Sequence, residues 1–332
     1  MRRRDFVTAL GSAATWPLAA RAQQPAKMKR IAYVHSAGNV SRISANGEPF
    51  YRAFFEELSR LGYVEGQNLG VERYSGDGRT ERYAVLARDV VNTRPDLILA
   101  VGGRLSLDLK SATTTIPIVT MIIDPVAMGL VPSIARPGGN ITGVTIAGGL
   151  EIIGKRMGLL VEVMPKLSTV GYLASRPFWE DSRGAAVQEA AKQAGISLSP
   201  VMLSAFDEAE YQRVFRSMEQ DRANAFMVSD EPENSIHRET IVELAAKGRI
   251  PAIYPFRDYV QVGGLMAYSV DLTDISRRLA NLIDKILKGA NPGDIPFYQP
   301  TKYELALNQK AARSLGLEFP PALLMTADEV IE

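Results

Sequence analysis

The residues best suited to chemistry stand where predicted strands meet the starts of predicted helices. The free backbone N–H groups of a helix start favour an anion such as a carboxylate. Aromatic rings at the same junctions offer stackable apolar surface for the rest of a ligand. The candidate ligand-binding residues are Ser36, Ala37, Asn39, Gly102, Gly103, Arg104, Asp124, Ser175, Arg176, Asp230, Glu231, Tyr254, Phe256 and Tyr268.

These residue types suggest a role for each group in holding a small organic ligand. The groups predicted to hold a carboxylate, by backbone amides and one hydroxyl, are Ser36, Ala37, Gly102 and Gly103. The carboxylates that would hold an amino group are Asp124, Asp230 and Glu231. The arginines that would hold a second acid are Arg104 and Arg176. The rings that would line the apolar part are Tyr254, Phe256 and Tyr268.

The chain lacks the residues that several other kinds of chemistry require. The chain has no cysteine, which excludes disulfides, thiolate nucleophiles and Cys-ligated metals. Its two histidines, His35 and His237, fall in different halves without a second ligand at metal-binding spacing. No G-x-S-x-G turn is present for a hydrolase serine. We therefore expect no metal, no cofactor and no catalytic residue, with acid–base catalysis by the junction carboxylates as the open alternative.

One motif imitates a phosphate-binding loop. Residues 149–156 match G-x-x-x-x-G-K, but Arg156 stands where Ser or Thr would hold Mg²⁺. We interpret the segment as a helix start with Lys155 and Arg156 on its solvated side.

The N-terminus is typical of an export signal. Residues 1–22 combine a basic head, an apolar body and an A-x-A ending. The paired arginines of the basic head resemble those of a twin-arginine signal. Loss of their four arginines and one aspartate, a net +3, lowers the formal charge from +1 to −2. Without a clustered basic excess, nucleic acid is not an expected partner. We expect a periplasmic monomer whose signal is cleaved near Ala22. Trp179 would then be the one tryptophan of the mature chain, and we expect it to lie near the ligand cleft.

Strands alternate with helices along the whole chain, which predicts doubly wound parallel sheets of the α/β class. Predicted strands cover residues 31–35, 69–74, 97–101, 118–123 and 141–145, with a short helix after Asp124. The second half repeats this order, with strands at residues 169–174, 224–230 and 250–255. The repeat predicts two similar lobes, and the break at residues 136–139 predicts an exit from the first.

Three segments resemble a known family. They are DPVAMGLVPSIARPGGNITGV at residues 124–144, HRETIVELAAKGRIPAIYPFRDYVQVGGLMAYSVD at 237–271 and KILKGANPGDIPFYQPTKYELALNQKAARSLGLEFPPALLMTADEVIE at 285–332. They are similar to ABC-transporter substrate-binding proteins of the tryptophan/tyrosine-binding-like group. The resemblance departs from its usual pattern at Ser269 and at the loop of residues 102–104, so a relative's ligand cannot be copied over.

The resemblance implies a type I periplasmic-binding-protein fold, with two α/β lobes joined by three hinge crossings. We expect lobe 1 to comprise residues 28–145 and 270–298, and lobe 2 to comprise residues 146–269 and 299–332. The lobes would close on an aromatic amino acid or a small or aromatic carboxylate, and an ABC permease in the inner membrane would receive it. An exported sensor that presents its closed form to a membrane signalling protein is the alternative.

Overall fold

The computed structural model describes residues 28–146, 151–220 and 223–332, which fold into two α/β units. The predicted signal peptide at residues 1–22 lies outside the described residues. Within the described part of the chain, the strands form one five-stranded and one seven-stranded sheet.

The first sheet is parallel throughout and has the strand order β2-β1-β3-β4-β5. Its strands are β1 (Lys29–His35), β2 (Leu69–Ser75), β3 (Leu97–Val101), β4 (Ile118–Ile122) and β5 (Ile141–Thr145). The helices between them are α1 (Pro49–Arg60), α2 (Tyr83–Asn92) and α3 (Gly103–Ala112). Strand β3 is apolar and buried along its whole length, as expected for a parallel strand covered on both faces.

The second sheet has the order β12-β11-β10-β9-β8-β6-β7, with β11 antiparallel to β10. Its strands are β6 (Thr169–Ser175), β7 (Ser197–Leu203), β8 (Ala225–Val228), β9 (Ala252–Tyr254), β10 (Met266–Val270), β11 (Tyr303–Asn308) and β12 (Glu329–Ile331). The helices in chain order are α4 (Glu151–Val163), α5 (Arg176–Glu180), α6 (Ser182–Gln193), α7 (Glu208–Gln220), α8 (Pro232–Ile236), α9 (Arg238–Lys247), α10 (Arg257–Gln261), α11 (Leu272–Leu287), α12 (Gln309–Leu315) and α13 (Pro321–Thr326).

The chain passes between the two sheets three times. It leaves the first sheet after Thr145 and the second sheet after Val270. Helix α11, capped by Asp271, returns to pack on α1, β4 and β5 of the first unit. Tyr298 then bonds to the backbone of Gly143 in β5, and the chain enters β11 of the second sheet. These crossings and sheets confirm the predicted fold class.

The prediction of a short helix after Asp124 is wrong. Residues 125–129 form turns. The Asp124 carboxylate accepts the N–H groups of Val126 and Ala127, an Asx turn that competes with a helix, and Gly129 adopts a positive φ of 70°.

Candidate ligand-binding cleft

A cavity of about 240 Å³ lies between the two units, where the carboxyl ends of their strands face each other. The first unit contributes, among others, the loop of residues 35–42, the start of α1 at Phe50 and Tyr51, and Val101 at the end of β3. The second unit contributes α8 and the segment of residues 256–259. Pockets that bind drug-sized ligands have volumes of about 300–1,000 Å³, so a cavity of this volume suits a smaller solute.

Two polar contacts join the units beside the cavity. Arg238 donates from Nη2 to Oε1 of Glu48 at 2.8 Å. The Tyr83 hydroxyl donates to Oε1 of Glu233 at 2.7 Å, and burial raises the pKa of Tyr83, so the hydroxyl keeps its proton. Both bonds require the two units to be close together.

The first wall of the cavity is organised by His35, the last residue of β1. Its Nδ1 accepts the N–H groups of Ala37 at 3.1 Å and Gly38 at 2.6 Å. A Cβ at position 38 would lie 2.7 Å from the ring, so glycine permits this close approach. Burial lowers the pKa of His35 to about 4, and the ring is therefore neutral near pH 7.

The carboxylate cradle predicted at Ser36, Ala37, Gly102 and Gly103 is occupied by the protein itself. The Ala37 amide is bound to His35, while Gly102 lies against Ser36, where an added Cβ would come within 2.7 Å. Gly103 begins α3 with Met128 packed against it. Ser36 is itself buried against Gly102 and is not among the cavity-lining residues.

The second wall is backed by buried charges. Asp230 lies 3.8 Å from Arg156, and both side chains are buried. Arg156 also donates to the carbonyl oxygens of Tyr268 and Pro255. The prediction that Arg156 is solvated is wrong, because these carbonyls and Asp230 give the guanidinium buried partners.

Glu231 turns inward instead of toward the cavity. Its carboxylate accepts the N–H and hydroxyl of Ser175 and the hydroxyl of Ser229. Burial raises the pKa of Glu231, which Arg183 and the serine donors partly offset. This network ties the ends of β6 and β8 together.

Asp258 lines the cavity with a carboxylate that no described residue engages in a hydrogen bond or an ion pair. Burial raises its pKa, and nearby Arg238 opposes that shift. A positively charged ligand group would stabilise the ionised carboxylate in this position.

The remaining predicted residues fall in several places. Asn39, Asp230 and Phe256 line the cavity, and Ala37 lines a more open pocket beside it. Tyr254 is buried in the core and stacked on Tyr259.

Four of the predicted residues do not line the cavity and contact other residues instead. Arg104 and Arg176 are exposed and face Asp108 and Glu180 on their own helices. Asp124 caps its turn, and Tyr268 stacks on Tyr303.

Trp179, which we predicted near the cleft, does not line the cavity. It packs edge-on against Tyr172, with ring centroids 5.6 Å apart.

Sequence reasoning missed most of the cavity wall. The missed residues include Glu48, Phe50, Tyr51, Arg238 and Asp258. One available signal was the run Tyr254-Pro-Phe-Arg-Asp-Tyr259, where polar and aromatic residues continue past the strand end into α10.

The two α/β units and the crossings between them form the type I periplasmic-binding-protein fold. The family model described as ABC transporter substrate binding protein matches residues 48–331. The chain therefore belongs to this family, a solute-binding class of normally extracytoplasmic proteins.

Individual relatives agree with this assignment. The chain is 24% identical over 278 residues to a tyrosine-binding protein of Clostridioides difficile, covering 80% of this chain and 76% of the relative. A Streptococcus pneumoniae ABC domain solved in complex with L-Trp superposes with a TM-score of 0.80 at 22% identity, over 92% of this chain and 100% of that one. A conserved domain protein of Vibrio cholerae gives a TM-score of 0.81 at 22% identity, with the same coverage.

Across the described residues, no helix is long and apolar enough to cross a lipid bilayer. In the same part of the chain, no cluster of three or more histidine or acidic residues is arranged to hold a metal ion.

Proposed function

We propose that this chain is the extracytoplasmic receptor of an ABC importer, which captures a small zwitterionic solute with an aromatic side chain by closing its two lobes. The observation that carries the proposal is the cavity, whose walls come from both sheets and whose sides are joined by the bonds Glu48–Arg238 and Tyr83–Glu233. A ligand touching both walls favours the closed arrangement by its differential affinity for it. An inner-membrane permease would recognise that arrangement.

The chemistry of the walls supports an aromatic amino acid. The aromatic residues that line the cavity are Phe50, Tyr51, Phe256 and Tyr259. The unengaged carboxylate of Asp258 suits an ammonium group. Asn39 and Asp230, both predicted from the sequence, stay in the proposed site. The relatives whose names specify tyrosine and tryptophan support the same ligand class.

The proposal also covers the protein's setting. Residues 1–22 act as a cleaved export signal, the mature chain works as a periplasmic monomer, and no reaction is catalysed. Lobe 1 comprises residues 28–145 and 270–298, and lobe 2 comprises residues 146–269 and 299–332.

A ligand panel tests this function. The purified protein is unfolded, dialysed free of bound ligand and refolded, then titrated calorimetrically with L-tryptophan, L-tyrosine, L-phenylalanine, benzoate and, as a non-aromatic control, glycine. We expect one site per chain, a micromolar or tighter Kd for an aromatic amino acid and a matching rise in melting temperature. Absence of binding across the panel would contradict the proposed ligand class, and conversion of a ligand to product would contradict a purely binding role.

A further inference from the structure

His35 presents one ring nitrogen to its own loop and the other to a different environment. Nδ1 accepts two backbone N–H groups, from Ala37 and Gly38. An accepting nitrogen carries no proton, so the neutral imidazole must hold its proton on Nε2. The tautomer is therefore fixed by the loop that follows β1.

The Nε2–H group is left available by the protein. None of the described residues forms a hydrogen bond with Nε2, and His35, which is 8% exposed, lines the cavity. Because His35 is buried, a donor there is costly unless it finds an acceptor. Water or a ligand atom must therefore supply that acceptor.

We propose that His35 is a specificity-determining residue of the site, whose Nε2–H donates a hydrogen bond to the carboxylate of the bound solute. This inference rests on the proposed function and deepens it. Asp258, on the opposite wall, offers an acceptor, so a ligand with both charges meets a donor on one wall and an acceptor on the other. The other charged residues that line the cavity are paired within the protein: Glu48 with Arg42 and Arg238, and Asp230 with Arg156. An amino acid matches that pattern, whereas an amine without an acid leaves the His35 donor unpaired.

Two substitutions separate the ligand contact from the loop contact. His35→Asn places an amide oxygen near the position of Nδ1, where it can accept the Ala37 and Gly38 amides, but it removes the donor at Nε2. His35→Gln places an amide N–H near the position of Nε2 and abandons the loop. Calorimetry with L-tryptophan and L-tyrosine should show affinity lowered roughly 10- to 100-fold in His35→Asn, the range for a hydrogen bond to a charged group. His35→Gln should retain more affinity than His35→Asn.

A spectroscopic readout on the unmutated protein makes the test independent of folding defects. In ¹⁵N-histidine NMR spectra near pH 7, His35 should show the Nε2–H tautomer, and its Nε2–H resonance should shift on saturation with the same Kd as calorimetry. A spectrum of the His237→Asn variant assigns the two histidines. Ligand binding that leaves the His35 signal and the His35→Asn affinity unchanged would overturn the inference while sparing the proposed function. A protonated or Nδ1–H ring would also overturn it, and failure of every panel ligand to bind the unmutated protein would overturn both.

Discussion

The loops after β1 and β6 occupy the same place in their sheets but use their polar groups differently. Each strand lies between the second and third strands of its unit, in the orders β2-β1-β3 and β7-β6-β8. After β1, His35 holds its own loop with one nitrogen and keeps the other for the cavity. After β6, the hydroxyl and amide of Ser175 are both bound by Glu231. One fold thus yields a loop suited to binding and a loop suited to holding the lobe together.

The comparison predicts that changes at Glu231 affect stability and changes at His35 affect binding. Glu231→Ala leaves two donors of Ser175 and one of Ser229 without their acceptor. We expect the free energy of unfolding in urea to fall by about 3–5 kcal/mol, as for the loss of one partner from a buried charged network. Glu180→Ala, at the exposed end of α5, the helix that follows β6, is the control and should cost about 0.5 kcal/mol or less. Equal effects of the two substitutions would remove the contrast.

The buried His35 ring predicts a pH dependence of stability. Its folded pKa of about 4 lies below the ordinary histidine value of 6.5, so the unfolded chain takes up a proton first as the pH falls. Stability is therefore lost from about pH 6.5 down to about pH 4, and a shift of this size corresponds to about 3 kcal/mol. Urea unfolding at several pH values should show that His35→Asn loses less stability than the unmutated protein over this window. Parallel curves would show that His35 is not held neutral.

Asp258 should matter for affinity and little for folding. Asp258→Asn keeps the shape of the side chain but removes the negative charge that faces the cavity. We expect the Kd for an aromatic amino acid to rise by roughly 10- to 100-fold, in line with a charge-assisted hydrogen bond. Asp89→Asn, on the exposed face of α2, is the matched control and should leave the Kd unchanged. An unaltered affinity in Asp258→Asn would show that Asp258 does not bind the ammonium group.

The smallest expected effect concerns the contact between the lobes. Tyr83→Phe removes the bond to Glu233 across the cleft, whereas Tyr74→Phe removes a similar bond to Glu72 within the first unit. One hydrogen bond contributes about 1 kcal/mol, so Tyr83→Phe should weaken ligand binding about fivefold. Small-angle scattering of the ligand-free protein should show a shift toward a more open form. If Tyr74→Phe weakens binding equally, the inter-lobe bond has no special role in closure.

Local patterns were sufficient to predict the fold but only part of the site. Apolar strands alternating with helices predict parallel sheets at any position in the chain, and the resemblance supplied the crossings. The turn after Asp124 escaped prediction because a side chain capturing two backbone amides has no signature in helical periodicity.

The site was harder to predict because its residues are brought together by tertiary structure. Strand ends pointed to Asn39, Asp230 and Phe256, which reach the cavity. The position at a strand end also led to the prediction of Arg176 and Asp124. Their side chains interact with neighbouring residues instead, Arg176 with Glu180 and Asp124 with the Val126 N–H. Glu48, Phe50 and Tyr51 escaped because they belong to the start of a helix, and the distance between that helix and α9 cannot be inferred from either segment alone.

A crystal structure of the refolded protein with the tightest-binding amino acid of the panel tests the central claim most directly. We predict ligand density between the two lobes, its ring against Phe50, Tyr51 or Phe256, its carboxylate about 3 Å from Nε2 of His35 and its ammonium group beside Asp258. Density outside this cavity, or a ligand held by one lobe with the other turned away, would contradict the account.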